Sequence, residues 1–329
     1  MVSDMQKTGK QRQPVLTVDL GGTKMIVAII SENGEVIARQ QLPTLADQGP
    51  QAVIKRMVSG MDQFLKGTNL SPAQLSAICL ATAGIIDVKN GIVTDSPNLP
   101  GWKNLALRSI VEEKYRLKTF LINDADAAAL GEHRFGVGRG IDTLVLLTLG
   151  TGIGGGIVIN GKLYLGATVS AAEIGHMVVD ANGPRCACGR NGCLETLASG
   201  TAVAREAISS INRGEKSSLT DIVAGKTEAI TAEAVYLAAK DGDSLSLESI
   251  ARATYYLGIG VVNLVNIFNP EMVVMGGGMA GMGGLLLDPV ADMVKKEAFP
   301  LMARSVRIVP AQLGNDAGVF GAAAFALEQ

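Results

Sequence analysis

The sequence predicts a duplicated α/β molecule of two lobes with a ligand cleft between them, and three observations carry that prediction. Two stretches share one pattern: VLTVDLGGTKMIVAII at 15–30 and TLVLLTLGTGIGGGIVIN at 143–160 each read as an apolar β-rich run, a Gly/Thr turn and a second apolar run. Beyond each of these hairpins, strand-like and helical patterns alternate, as an α/β fold requires. A length of 329 residues also exceeds what one hydrophobic core usually serves.

The elements follow in order. Residues 51–67 and 104–116 have helical period, 75–83 and 118–122 read as strands, and 127–132 is helical again. Residues 244–268 form a long helical pattern stopped by Asn269-Pro270. A strand at 272–275 runs straight into Gly276-Gly277-Gly278, and 316–327 is an Ala-rich helix. The small lobe is expected over 1–123, completed by the C-terminal helix 316–329. The large lobe, with its cysteine-bearing loop, is expected over 124–315. The polar stretch 1–14 reads as a lead-in without the apolar centre of a signal peptide.

Composition narrows the function classes. Lys+Arg 29 against Asp+Glu 31 gives a formal charge of -2, which argues against a nucleic-acid partner. Aromatics at 4% supply no stacking platform for single strands. No unbroken apolar run reaches the ~18 residues of a membrane span, so no membrane partner is expected. Clustered thiols in a chain of this size suit a cytoplasmic protein better than a disulfide framework. Glycine is the outlier, at 40 of 329 residues, about 12% against a usual ~7%, and implies many tight turns or close backbone approaches.

Four motifs carry chemistry. At the first hairpin tip, the glycines of Asp19-Leu20-Gly21-Gly22-Thr23-Lys24 leave backbone N–H groups free to face phosphate oxygens. Thr23 adds a hydroxyl, Lys24 a cation, and Asp19 a carboxylate suited to the Mg2+ that accompanies a nucleotide. The second tip, Gly150-Thr151-Gly152-Ile153-Gly154-Gly155-Gly156, contains G-x-G-x-x-G. The dinucleotide reading fails there because a strand follows, not a helix. With Gly276–278, three glycine loops suit ATP better than any one of them would.

Third, Asn123-Asp124 sits at a strand-to-helix junction, where ligand clefts of α/β folds open. The pair also suits a plain helix cap, but beside phosphate loops Asp124 is the carboxylate that phosphoryl transfer needs to accept the acceptor's proton. Fourth, Cys186, Cys188 and Cys193 follow His176 closely, a closed Cys3His set for structural Zn2+. Glu173 and Glu195 flank this set, where a metal-held loop would present rigid carboxylates to sugar hydroxyls, and His176 has a second ring nitrogen to offer a ligand. His133, within Glu-His-Arg, reads as a solvated surface residue.

Together DLGGTK, NDADAAALGE, GTGIGGG, EIGH, CACGRNGCLE and the late GGG resemble the ROK family of repressors, open reading frames and sugar kinases, within the actin-like ATPase (ribonuclease H-like) fold. The resemblance runs from Val15 to the C-terminal helix. It implies Asp124 as the base that deprotonates a sugar 6-hydroxyl, and Gly84, Asn98, Asn123, Glu173, His176 and Glu195 around the sugar. It implies Asp19, Gly21, Gly22, Thr23, Lys24, Gly150, Thr151, Gly152, Gly276, Gly277 and Gly278 around the nucleotide, and His176, Cys186, Cys188 and Cys193 around the metal. Ala83, Asp126 and Ala172 depart from the family's more frequent Pro, Asn and Gly.

Family repressors carry a helix-turn-helix domain ahead of the first loop. Only 14 residues precede Val15, so the kinase branch is expected. The cysteine motif and EIGH look most like those of bacterial-type glucokinases. The resemblance thus implies an ATP- and Mg2+-dependent kinase forming glucose 6-phosphate, as a homodimer or homotetramer. N-acetylmannosamine, mannose and a polyphosphate donor remain open, as does a non-catalytic sugar sensor.

Overall fold

The computed structural model describes residues 13–96 and 98–329. The expected lead-in therefore lies, up to residue 12, outside the described residues. Two compact units divide the chain: one runs to Ala127 and resumes at Gly318–Gln329, the other is Ala128–Ala317.

The first unit opens with the hairpin of β1 (Val15–Leu20) and β2 (Lys24–Ile30), paired from Val15–Ile30 to Leu20–Met25. Strand β3 (Val36–Pro43) pairs with β2 through an irregularity at Ile29/Ile30. Helix α1 (Pro50–Thr68) starts on a proline, whose missing N–H is no loss there, and ends at Asn69 in the left-handed conformation, φ 56. Strand β4 (Ala77–Thr82) is buried throughout and lies parallel to β1.

Three short strands follow as a separate antiparallel sheet: β5 (Ile85–Asp87), β6 (Ile92–Asp95) and β7 (Lys103–Leu105). The helix expected from residue 104 starts later, as α2 (Leu107–Tyr115), because β6 captures 103–105. Strand β8 (Thr119–Asn123) then joins β4 in parallel and leads directly into α3 (Asp124–Arg134). The main sheet order is β3-β2-β1-β4-β8. Alternate residues such as Leu16, Val18, Val27 and Leu80 bury one face against Met57 and Met61 of α1 and Val111 of α2.

The second unit repeats this plan. Strands β9 (Leu144–Leu149) and β10 (Ile153–Ile159) form the second hairpin, and β11 (Lys162–Leu163) extends it. Helices α4 (Leu194–Ala198), α5 (Gly200–Asn212), α6 (Leu219–Ile222), α7 (Ala232–Lys240) and α8 (Ser244–Phe268) come next. Strand β12 (Met272–Gly276), α9 (Gly284–Glu297), α10 (Pro300–Ser305) and β13 (Arg307–Pro310) complete the sheet. Its order, β11-β10-β9-β12-β13, matches that of the first unit strand for strand, with the same antiparallel hairpin and parallel continuation. Helix α11 (Ala317–Leu327) closes the chain, and its Phe325 meets Phe120 of β8 edge to face at 6.2 Å.

One expectation is refined here and one is corrected. Helix α8, with 25 residues, is long and apolar enough by length and composition to cross a membrane, yet 56% of its most apolar window is buried within the protein, which marks a core helix. His133 is not a solvated residue: it is 7% exposed, and its Nε2 lies 2.8 Å from the Ile141 carbonyl. Its neighbour Glu132 is fully buried, accepting hydrogen bonds from the N–H groups of Val137 at 3.0 Å and Leu313 at 2.6 Å.

Asp243 caps α8, accepting from the Ser246 N–H at 2.8 Å, and also holds the Ser218 N–H at 2.8 Å and the Ser217 hydroxyl at 3.0 Å. Partial burial alone would raise its carboxyl; the bonds from Ser246, Ser218 and Ser217 outweigh it and hold the group at about 2. The folded pKa is thus below the unfolded one, so this stabilisation is present above pH ~4 and lost as pH falls toward 2. Asp243→Ala is expected to cost about 1 kcal/mol in urea unfolding at neutral pH, with the difference vanishing below pH ~2.

Candidate active site

In the first unit, the predicted residues gather at the carboxyl ends of three parallel strands. The register sets Leu20 beside Thr82 and Thr82 beside Asn123, so the loops after β1, β4 and β8 open on one edge, where α/β sheets bind ligands. The Thr82 hydroxyl donates to the Leu20 carbonyl at 3.4 Å. Across the first turn, the Gly21 N–H donates to the Lys24 carbonyl at 3.1 Å, and Lys24 opens β2 opposite Pro43. Gly22 lies against the loop after β6: a Cβ there would sit 2.7 Å from the Asn98 carbonyl oxygen. Thr23 and Asn98 are exposed, and Asp19 is partly buried beside Gly318 of α11.

Gly84 has φ 115, and a Cβ there would strike the Asp95 carbonyl, so glycine is required. Its own carbonyl accepts from Asn123 Nδ2 at 3.1 Å. Asn123 is the helix cap: its Oδ1 accepts from the N–H groups of Ala125 at 2.8 Å and Asp126 at 3.2 Å. That leaves Asp124 as the first residue of α3, its Oδ1 3.0 Å from the Ala125 N–H. Burial pushes the Asp124 carboxyl above the ordinary carboxylate range, against the pull of the Ala125 and Asp124 N–H groups and the Asn123 side chain. A partly buried carboxyl with a raised pKa at a strand end has the properties of a general base.

In the second unit the same edge carries the other glycines. Gly150 and Thr151 follow β9, and Gly277 and Gly278 follow β12, with Gly276 paired to Thr148. Gly152 lies beside the Glu195 carboxylate, whose Oε2 accepts from the Ile153 N–H at 2.9 Å. Glu173 is exposed at the start of the short 310 turn Ile174–His176. Ala172, just before it, has φ 63, a left-handed conformation that favours glycine.

His176, Cys186, Cys188 and Cys193 converge, with one ligand atom from each lying within 4.8 Å of the others. His176 Nδ1 is 3.6 Å from Cys186 Sγ, and Cys188 and Cys193 Sγ are 3.5 Å apart. Ligand edges of a tetrahedral zinc site, with bonds of ~2.0–2.3 Å, are about 3.6–3.8 Å, so the donors fit such an ion. The Nδ1 of His176 faces the sulfurs, which turns its Nε2 away from them. Gly189 and Gly192, at φ 92 and 68, give the loop its two sharp turns. The Arg190 N–H and guanidinium hold the Cys188 thiol at about 6, whereas burial pushes Cys193 up to about 12.

The model of the ROK family matches residues 15–329. The chain belongs to the ROK family. A glucokinase of Thermotoga maritima is 39% identical over 318 residues, covering 96% of this chain and 98% of that protein. A xylose repressor of Caldicellulosiruptor bescii is 32% identical, covering 95% of this chain and 78% of the repressor. Among solved structures, a ROK glucokinase from Streptomyces griseus in complex with glucose and AMPPNP has a TM-score of 0.84 at 32% identity, covering 96% of this chain and all of that one. The two-unit α/β architecture is therefore the actin-like ATPase fold of ROK glucokinases.

Supports of the ROK glycine loops escaped the sequence reading. The Thr44 hydroxyl donates to the Gly21 carbonyl at 2.7 Å, and its N–H donates to the Thr23 carbonyl at 2.9 Å. At the second loop the Gly200 N–H donates to the Gly150 carbonyl at 2.8 Å, and the Thr201 hydroxyl to the Thr151 carbonyl at 2.7 Å. Nothing local in Ser199-Gly200-Thr201 tells which distant carbonyls it meets.

Proposed function

We propose that this ROK protein is an ATP-dependent glucokinase that transfers the γ-phosphoryl group to the 6-hydroxyl of D-glucose. The observation that carries the reading is Asp124, a carboxyl with a raised pKa at the end of β8, in the fold of a glucose- and AMPPNP-bound relative. Gly84, Asn98, Asn123, Glu173, His176 and Glu195 surround the sugar in this proposal. Asp19 to Lys24, Gly150 to Gly152 and Gly276 to Gly278 receive the nucleotide.

Asp124 Oδ accepts the proton of the 6-hydroxyl as that oxygen bonds to the γ-phosphorus and the bond to the β-phosphate oxygen breaks, leaving ADP and glucose 6-phosphate. Backbone N–H groups of the glycine loops face the charge that develops on the transferred group. Mg2+, when bound, neutralises phosphate charge, and Asp19 is the carboxylate beside the first loop that suits it. Zn2+ held by His176, Cys186, Cys188 and Cys193 would be structural, since four protein donors would leave no open position for water.

A coupled kinase assay over a hexose panel, with ATP and polyphosphate as alternative donors, tests the reading. Glucose with ATP is expected to give the highest kcat/KM. Turnover of N-acetylmannosamine or mannose in preference to glucose would reassign the substrate. Sugar binding without turnover would make the chain a non-catalytic sugar sensor.

A further inference from the structure

Of two segments that the proposal gives to the sugar, Glu195 packs on the loop that it gives to the nucleotide and the EIGH segment packs on the start of β10, which follows that loop, all within the second unit. The contact is made through missing side chains. A Cβ on Gly152 would collide with Glu195 Oε2, and one on Gly155 would lie 2.8 Å from the Ala172 carbonyl oxygen and against the Ile174 side chain. A Cβ on Gly175, within the EIGH segment, would collide with the Ile153 carbonyl oxygen.

Ile153 is the shared node. Its side chain is 5% exposed and anchored in the core, its N–H holds Glu195 Oε2 at 2.9 Å, and its carbonyl is pressed against Gly175. From the other side, α5 grips the same tip through Gly200 on the Gly150 carbonyl and Thr201 on the Thr151 carbonyl. Four consecutive peptides, Gly150 to Ile153, are thereby held between the start of α5 and the residues assigned to the sugar.

We infer that the Gly150–Ile153 tip positions Glu195 and couples sugar binding to nucleotide binding. One Glu195 oxygen is committed to the Ile153 N–H, which orients the other toward a sugar hydroxyl. A phosphate seated on the tip restricts the same peptides and so sets that carboxylate in advance. The second ligand then orders less of the protein, and the gain is reciprocal. The inference rests on the proposed roles of Glu195 and of the second loop.

Calorimetric titration of the intact chain with glucose and with AMPPNP·Mg2+, each alone and in the presence of the other, tests it. Each ligand is expected to tighten the other by the same factor, about five-fold or more. Gly152→Ala, which drives a methyl into Glu195, is expected to weaken glucose by about 10–100-fold, the loss of one charge-assisted hydrogen bond, and to bring the coupling factor toward one. Combining it with Glu195→Asp, which withdraws the carboxylate by one methylene, is expected to recover part of that loss. A merely structural role for Gly152 predicts no such rescue.

The outcomes separate. Wild-type glucose affinity that does not respond to AMPPNP·Mg2+ overturns the coupling alone. Gly152→Ala with unchanged glucose affinity and coupling overturns the role of the tip. Glu195→Ala with unchanged glucose affinity removes Glu195 from the sugar, and absent glucose binding by the wild type overturns the functional reading itself.

Discussion

Asp124→Asn is expected to lower kcat by about 10²–10⁴-fold while leaving glucose affinity nearly unchanged. The asparagine keeps the size of the side chain and a hydrogen-bond acceptor for the Ala125 N–H, which Asp124 holds at 3.0 Å, but removes the site that takes the proton. Binding and chemistry therefore separate, which calorimetry with glucose and a steady-state assay on one preparation would measure. Near-normal turnover would remove Asp124 from its role.

Two further consequences follow from its raised pKa. The base must be ionised to act, so the wild-type rate is expected to fall as pH drops through a value above the usual ~4 of an aspartate. The stability effect has the opposite sense. With the folded pKa above the unfolded one, the stabilisation from protonating Asp124 is present below pH ~4 and lost as pH rises through the folded value. Once ionised, the buried charge is a burden on the fold, so Asp124→Asn is expected to raise Tm as it lowers kcat, a trade between activity and stability.

Cys193→Ser is expected to take metal content from about one zinc per chain to near zero and to weaken glucose by at least ~10-fold. The reach of this change comes from its neighbours. The Leu194 N–H after it holds the Met177 carbonyl at 2.8 Å, tying the EIGH segment to the cysteine loop, and Glu195 lies one residue further on. A loop without such an ion would lose the fixed placement of His176 and Glu195 together. Elemental analysis with glucose titration is the measurement. A purified, fully active wild-type protein without zinc would sink the metal assignment.

Legibility in the sequence followed the range of the interaction. The two hairpins stood out because an apolar run, a Gly/Thr turn and a second apolar run are contiguous, and α8 because its period ran for 25 residues to an Asn-Pro stop. Strands β5 to β7 did not, being three or four residues long and half-exposed. Residues 104–116 carry apolar positions at helical spacing, but Leu105 is claimed by Val93 of a different strand. His133 looked solvated between two charges, yet the Ile141 carbonyl, reached only after α3 ends, takes its ring into the interior.

The sequence by itself determined the chemistry available: a carboxylate at a strand-to-helix junction, glycine turns fit for phosphate, and four metal donors at close spacing. It did so because turn chemistry, period and ligand spacing are local. Only the tertiary structure decided which atoms face which. Strand register brought Leu20, Thr82 and Asn123 to one edge, and burial raised the Asp124 carboxyl. Glycines 152, 155 and 175 proved to make room for other parts of the protein, not only for a ligand. A missing Cβ is visible in any sequence, but what fills its place comes from a distant segment brought there by the packing of the whole unit.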